Sequence, residues 1–151
     1  MNYQGSAVAE EQVGYVLKQV QQALRAAMDA ALRRHGLTTP QNAALSALAE
    51  GGALSGAELA RRGFVTPQTM NGIVANLEAA GLVERRGDAG DARVLRVALT
   101  PAGRARFDEC QQVVGAIEER MLSGLRADER PWLLDALRRC ATALVATPAQ
   151  Q

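Results

Sequence analysis

The sequence has few residues that could support metal or redox chemistry. It contains one histidine and two cysteines in 151 residues, and no tetrahedral zinc set is evident. The two cysteines, thirty positions apart, do not form a disulfide framework, which indicates a reducing compartment. No phosphate-cradling glycine motif is present. We therefore expect no cofactor, no metal and no enzymatic activity.

Long apolar runs and basic N-terminal residues are also lacking. No apolar run approaches the roughly 18 residues that span a bilayer. Residues 1–12 include no basic side chain, which argues against a secretory signal. The hydrophobic fraction of 48% excludes a disordered chain, and the length suits one domain, alone or with an appended oligomerisation element. We expect a cytoplasmic protein without a membrane partner.

Positive charge is concentrated in the middle of the chain. The formal net charge is +1, but residues 61–106 carry eight arginines against four acidic residues. The flanking segments, 1–60 and 107–151, are both mildly acidic. This distribution indicates that residues 61–106 bind a polyanion, whereas the acidic segments on either side have another role.

Hydrophobic periodicity and capping signals predict a mainly α fold. A long first helix covers 8–34 and ends at His35-Gly36, where the histidine caps carbonyls. Short helices follow from Thr39-Pro40, Ser55 and Thr66-Pro67, the second through a Ser55–Glu58 capping box. Strands at 82–86 and 94–100 flank a turn-rich loop, and helices cover 101–124, starting at Thr100-Pro101, and 128–146. The order indicates a helix-turn-helix followed by a small β-hairpin.

The helix predicted at 67–80 has two contrasting sides. The side predicted to face the core carries apolar residues at helical spacing: Met70, Ile73, Val74 and Leu77. The opposite side and its borders are uncharged and carry small or hydrogen-bonding residues: Gln68, Thr69, Asn71, Gly72, Ala75 and Asn76. Amide side chains suit bidentate contacts to adenine, and small residues permit close approach to double-stranded DNA. The alternative is a solvated helix with a chance glycine.

The hairpin carries most of the remaining arginines. Arg93 ends the loop, where a guanidinium can enter a narrow minor groove. Arg85, Arg86 and Arg96 lie on the strands, where they can meet phosphates. Asp91 is expected to accept from Arg93 or from loop backbone amides and so to orient the arginine. An ordinary surface hairpin is the alternative.

Five segments are typical of one family of regulators. They are SGAELARR from Ser55, VTPQTMN from Val65, LEAAGLVER from Leu77, DAGDAR from Asp88 and LTPAG from Leu99. Together they resemble the MarR family of bacterial transcription regulators. The likeness covers nearly the whole chain and is most specific over 55–103. Ala89 departs from it, because the family often has proline there.

The resemblance implies a homodimeric winged helix-turn-helix protein that binds palindromic operators and usually represses. Many such regulators release DNA when a small aromatic or phenolic ligand binds between the dimerisation and DNA-binding regions. By that likeness, the segment from Thr66 to Asn76 lies in the major groove and Arg93 in the minor groove. Peroxide-sensing members carry a reactive cysteine in the first helix, and this first helix has none.

The chain is predicted to divide into two regions. Residues 37–100 form the winged helix-turn-helix, and residues 8–34 with 101–146 form the helical dimerisation region. Each flanking helix carries several large apolar residues, worth about 1.5–3 kcal/mol apiece when buried, so we expect a second copy to cover them. A monomer with an intramolecular three-helix cap is the alternative. Cys110 and Cys140 lie among the apolar residues that repeat along one side of the last two helices, and both are expected in a core.

An effector pocket is predicted at the junction of the first, second and fifth helices. Its candidate residues are Tyr15, Met28 and His35, with nearby arginines. Two other functions stay open: a winged-helix regulator without a ligand response, and a protein-interaction module that has lost DNA binding.

Overall fold

The computed structural model describes residues 12–88, 90–91 and 93–146, so the predicted start of the first helix at 8–11 lies outside it. The described chain is mainly helical, as predicted, with one small sheet. Its elements are α1 (Val13–Arg33), α2 (Thr39–Gly51), β1 (Leu54–Ser55), α3 (Gly56–Arg62), α4 (Pro67–Ala79), β2 (Val83–Gly87), β3 (Leu95–Leu99), α5 (Pro101–Met121) and α6 (Glu129–Val145). The chain forms two compact units, Met1–Ile117 and Glu118–Gln151. Their boundary falls within α5, and the division into a DNA-binding and a dimerisation region stays a prediction.

Local capping residues determine where the short helices begin. The Ser55 hydroxyl accepts from the Glu58 N–H at 3.2 Å, and the Glu58 carboxylate accepts from the Ser55 N–H at 2.8 Å. This is the predicted capping box of α3. The Thr66 hydroxyl accepts from the Thr69 N–H, and the Thr100 hydroxyl accepts from the Gly103 N–H. These bonds confirm the predicted starts of α4 and α5.

The start of α2 differs from the prediction by one residue. Thr38, not Thr39, caps the helix, and it forms a capping box with Gln41. The Thr39 hydroxyl is engaged elsewhere, because it donates a hydrogen bond to the Asp29 carboxylate of α1. A contact between two helices therefore overrides the local cap-plus-proline signal.

The sheet has three antiparallel strands in the order β1-β3-β2. The predicted hairpin is β2 and β3, with Arg85 opposite Val97 and Arg86 opposite Arg96. β1 was not predicted, because two residues are too few to show an alternating pattern. Its pairing of Leu54 with Val97 joins the hairpin to the start of α3.

The core of the first unit is built around the helix-turn-helix. It consists of buried apolar residues from each element of this unit: Leu32, Leu37, Ala44, Leu45, Ala47, Leu48, Leu54, Leu59, Ala60, Met70, Val74, Leu77, Leu82, Val83, Val97, Phe107 and Cys110. Cys110 is buried as expected, and burial raises the pKa of its thiol. α1 contributes Leu32 as its one fully buried residue. The apolar stripe at the start of α1, with Val13, Leu17 and Val20, is exposed in the single chain.

In the second unit, α6 contains no buried residue. Its large apolar residues include Trp132, Leu134 and Leu137, with 65%, 51% and 40% of their surface exposed. Cys140 is also exposed, so its predicted place in a core is wrong for the single chain. The reason is that a helical stripe predicts an apolar side but not what covers it.

Gly103 allows α5 to pass directly against the turn before β2. The Thr100 hydroxyl donates to the Gly81 carbonyl at 2.6 Å, and the Thr100 N–H donates to the Leu82 carbonyl at 3.1 Å. A Cβ atom at Gly103 would lie 1.8 Å from the Leu82 carbonyl oxygen, far inside contact distance. The backbone on both sides is held, so neither can move aside.

We predict that Gly103→Ala lowers the free energy of unfolding by about 3 kcal/mol or more, because the added methyl overlaps a fixed carbonyl. Gly115→Ala, on the same helix, meets nothing within 4 Å. That control should be neutral or stabilising by up to about 1 kcal/mol, since alanine favours helix. Urea unfolding of both variants measures this, and equal stabilities would contradict the predicted clash.

Candidate nucleic-acid interface

α4 presents the side that its sequence predicts. Met70, Val74 and Leu77 are 1–3% exposed, and Ile73 is half-buried beside them. The predicted contact residues all lie on the exposed side: Gln68, Thr69, Asn71, Gly72, Ala75 and Asn76. No side chain of this surface carries a charge. It can therefore approach a polyanion without like-charge repulsion and offer amide donors and acceptors.

The N-terminal turn of α4 is held by two threonines. The Thr66 hydroxyl accepts from the Thr69 N–H at 3.1 Å and donates to the Thr69 hydroxyl at 2.9 Å. Thr66 thus acts first as a helix cap, and it orients Thr69. Further along, a Cβ atom at Gly72 would meet nothing within 4 Å. Packing within the chain therefore does not require glycine there, and the bare backbone is open to a second molecule.

The turn between α3 and α4 holds Phe64 in the left-handed region, with φ of +53°. The Val65 N–H donates to the Ala60 carbonyl at 3.1 Å and the Phe64 N–H to the Arg61 carbonyl at 3.3 Å. These two bonds form a Schellman motif, whose left-handed position is usually glycine. A side chain there costs about 1–2 kcal/mol. No sequence pattern indicates this role for Phe64, because the neighbouring Gly63 is the residue that predicts the end of the helix.

Arg93 lies in the wing, the loop between β2 and β3. Its side chain is 95% exposed. The Asp91 carboxylate accepts from the Arg93 N–H at 3.0 Å, one of the two contacts predicted for it, and lies 3.8 Å from the Arg93 Nε. The Asp88 N–H donates to the Val94 carbonyl at 2.9 Å and closes the loop. Ala89, the residue that departs from the family pattern, lies outside the described residues.

Arg96 links the base of the wing to the helix-turn-helix. Its Nη1 lies 3.4 Å from the Glu58 carboxylate, and its Nε lies 3.3 Å from the Asp88 carboxylate. Its Nη1 also donates to the Ala53 carbonyl at 3.5 Å. The side chain predicted to meet a phosphate is therefore paired with two carboxylates of its own chain, and it fixes the wing relative to α3.

The two arginines of β2 have different surroundings. The Arg85 Nε lies 3.6 Å from the Glu78 carboxylate of α4, and 34% of its side chain is exposed. Arg86 donates to Glu84 on the same strand, and 61% of its side chain is exposed. Arg86 can exchange this exposed partner for a phosphate at little cost, since surface ion pairs contribute little.

The three residues predicted for the effector pocket do not come together within one chain. Tyr15 and Met28 both lie on α1, about 20 Å apart along a helix that rises 1.5 Å per residue. Met28 packs against the core, whereas Tyr15 is exposed. His35 lines a cavity of about 330 Å³ with Arg34, Gly36, Arg106 and Glu109.

A larger cavity, of about 470 Å³, lies between α1, the start of α2 and α4. Basic residues of α1, an apolar floor and the exposed side of α4 line it: Arg25, Asp29, Arg33, Leu37, Thr38, Pro40, Gln41, Thr69, Ile73 and Asn76. The sequence did not indicate this cavity, because its residues come from three separate elements. Thr69 and Asn76 belong both to it and to the exposed side of α4.

The described residues lack two features, a membrane-spanning helix and a metal-binding cluster. None of their helices combines the length and the apolar character that crossing a bilayer requires. Within the same residues, no group of three or more His, Cys, Asp or Glu side chains is placed to hold a metal ion.

The pKa of Glu58 is lowered by the Ser55 N–H first, then by the Ser55 hydroxyl, and also by Arg96 and Arg61. Because the folded-state pKa lies below the ordinary value of 4.5, the carboxylate stabilises the fold above that pH. The contribution is lost as the pH falls through the lower, folded value.

We predict that Glu58→Gln is less stable than wild type near neutral pH and that the difference disappears in acid. Urea unfolding between about pH 3 and pH 7 measures it. Asp108→Asn, which breaks an exposed pair with Arg104 on α5, is the control and should change stability little. A Glu58→Gln difference that is independent of pH would show that the carboxylate charge does not hold this junction.

Comparison with known proteins gives a consistent result. The sequence profile of the MarR family matches residues 35–94. The HTH-type transcriptional repressor Rv2887 of Mycobacterium tuberculosis is 41% identical over 118 residues, which cover 78% of this chain and 85% of that protein.

Solved structures of such proteins share the fold over most of their length. Rv2887 in complex with DNA has a TM-score of 0.74 at 36% identity, covering 85% of this chain and 97% of that one. Its complex with salicylic acid has a TM-score of 0.71 at 38% identity, covering 85% and 96%. Bordetella bronchiseptica BpsR, whose DNA binding is regulated by 6-hydroxynicotinic acid, has a TM-score of 0.78 at 30% identity, covering 87% and 99%. The chain described here belongs to the MarR family of transcription regulators.

Proposed function

We propose that this protein is a cytoplasmic, homodimeric repressor that binds a palindromic DNA operator and is released by a small aromatic acid. The observation that carries the proposal is the uncharged, amide-bearing and exposed side of α4, together with a wing arginine whose side chain is 95% exposed. Similarity to Rv2887, whose structure holds DNA, supports the same conclusion.

The exposed side of α4 suits the major groove. Gln68, Asn71 and Asn76 offer amides that can bond adenine N6 and N7 in a bidentate manner, and Thr69 can bond a base or touch a thymine methyl. Gly72 and Ala75 lie between them and leave room for the DNA to approach the helix backbone. Thr66 supports this contact by capping the first turn.

The wing suits the minor groove and the phosphate backbone. The Arg93 side chain is 95% exposed, and Asp91 of the same loop is its one ion-pair partner among the described residues, so its guanidinium can enter a narrow groove. Arg86, and to a smaller extent Arg85, can contact phosphates. Arg96 serves as a positioning residue, since Glu58 and Asp88 already hold it.

We predict that Arg93→Ala weakens operator binding by about 1–3 kcal/mol because a minor-groove contact is lost. Gly72→Glu should abolish binding, because its carboxylate would be placed against the DNA. Gly72→Ala is the matched control: it has open space around it, keeps the helix and adds one methyl. Gel shifts at several salt concentrations measure all three, and wild-type binding should fall steeply with salt.

The outcome that would contradict this docking is unchanged operator affinity in both Arg93→Ala and Gly72→Glu. No specific binding by wild type to any genomic fragment would favour the alternative of a protein-interaction module. Thermal melting of the variants tests for a folding defect. Unchanged melting temperatures are expected, because neither position 72 nor position 93 contributes to the core.

A second copy of the chain is the partner that the helical faces favour. Within the first unit, Val13, Val16, Leu17 and Val20 of α1 are 42–72% exposed. Within the second unit, α6 contains no fully buried residue and Leu144 is 88% exposed. Large apolar residues repeated on one helix side mark an interaction surface. A twofold dimer would cover these faces and place two α4 helices about 34 Å apart, one duplex turn.

The larger cavity is the proposed effector site. Arg33 can pair with a ligand carboxylate, and Arg25 can do so by exchanging its exposed partner Asp29, 3.7 Å away, while Leu37 and Ile73 can pack on an aromatic ring. Because Thr69 and Asn76 line the same cavity, a ligand there would compete directly with contacts to bases. Rv2887 with salicylic acid, and BpsR with 6-hydroxynicotinic acid, support an aromatic acid as the ligand class.

We predict that salicylate weakens operator binding by wild type by about 5- to 150-fold, the usual range of coupling between sites. Arg33→Gln should reduce the affinity for salicylate about tenfold or more, since a charged hydrogen bond is lost. Arg34→Gln is the adjacent control, because Arg34 lines the other cavity with His35. Titration of salicylate against labelled operator distinguishes the two, and a response lost in Arg34→Gln alone would place the effector beside His35 instead.

A further inference from the structure

One exposed side chain is not explained by the fold. Phe64 is the one non-glycine residue of the described chain with a positive φ, whereas Gly36, Gly52 and Gly81 hold the other left-handed positions. Its side chain is 96% exposed, so the ring contributes almost nothing to the core. The chain thus holds an apolar ring in a strained position without benefit to its own packing.

The turn that carries the ring is rigid. Its two Schellman hydrogen bonds hold the backbone on both sides of Phe64. Gly63, just before it, is in close contact, since a Cβ atom there would lie 3.0 Å from the Met70 methyl group and 3.2 Å from the Leu59 carbonyl. The direction of the Phe64 Cα–Cβ bond is therefore set by the backbone before any partner arrives, which lowers the entropy cost of a contact.

The surroundings of the ring favour DNA as its partner. Arg61 and Arg62, in the last turn of α3, are exposed and positively charged. Phe64 stands two residues before Thr66, the cap of α4, and the N-terminal end of a recognition helix is the part that contacts base edges. The apolar group that a base pair displays in the major groove is the thymine methyl.

We propose that Phe64 is a specificity-determining residue that packs against the methyl group of a thymine in each half of the operator. This inference rests on the proposed function, because it needs α4 in the major groove. It adds an apolar contact to the hydrogen bonds of the amide side chains, and it explains why a strained turn keeps an exposed ring.

The test removes the thymine methyl group and the Phe64 ring separately. In an operator that wild type binds, each thymine is replaced in turn by deoxyuridine, which lacks only the methyl group. At one position in each half-site, the replacement should weaken wild-type binding about fourfold, the effect expected from the loss of one buried methyl group. Phe64→Gly should bind the unmodified operator more weakly and lose nothing further at that position. Glycine accepts the left-handed turn, so this variant should melt at or above the wild-type temperature.

Phe64→Tyr is the matched variant, because it keeps the ring and should keep the sensitivity to the methyl group. The inference is overturned if Phe64→Gly binds the operator as tightly as wild type. It is equally overturned if the variant loses as much as wild type at every deoxyuridine position, which would indicate contact with the sugar-phosphate backbone or with a protein. In both cases wild type still binds its operator, so the proposed function survives; absence of wild-type binding would remove both.

Discussion

Burial of one side of α4 is the constraint on which the proposed interface depends. Met70, Val74 and Leu77 are almost fully buried, and together they contribute roughly 5–9 kcal/mol at 1.5–3 kcal/mol for each large side chain. That is comparable with the net stability of a whole domain. The helix therefore cannot rotate about its axis, and the direction in which Asn71 and Asn76 face follows from the core, not from any bound partner.

The arginines of the basic segment fall into two classes that their sequence positions do not distinguish. Arg96 lies between carboxylates contributed by Glu58 and Asp88, so its charge is used to hold the wing against α3. Among the described residues, Arg93 has one carboxylate partner, from its own loop, and its side chain is exposed to solvent. The net charge of a segment is therefore a poor guide to where a polyanion binds; the carboxylates beside each guanidinium decide which ones remain available.

The features that the sequence predicted are those set by neighbouring residues. The two sides of α4, the caps at Ser55, Thr66 and Thr100, and the Asp91 contact to Arg93 all depend on residues within four positions. The features that it missed depend on distant contacts. Asp29 shifts the start of α2, and β1 exists only because β3 pairs with it. The larger cavity draws its lining from three elements, so no linear pattern could reveal it.

Hydroxyl-radical footprinting of the bound operator tests the central claim most directly, because it reports where on the duplex the protein lies. The account predicts two protected blocks on one face of the DNA, with centres about 10 base pairs apart and symmetric about the operator centre. Protection should extend into the minor groove beside each block, where the wing would lie. A single protected block, or uniform protection without half-sites, would contradict a twofold dimer that inserts one α4 into each half of a palindrome.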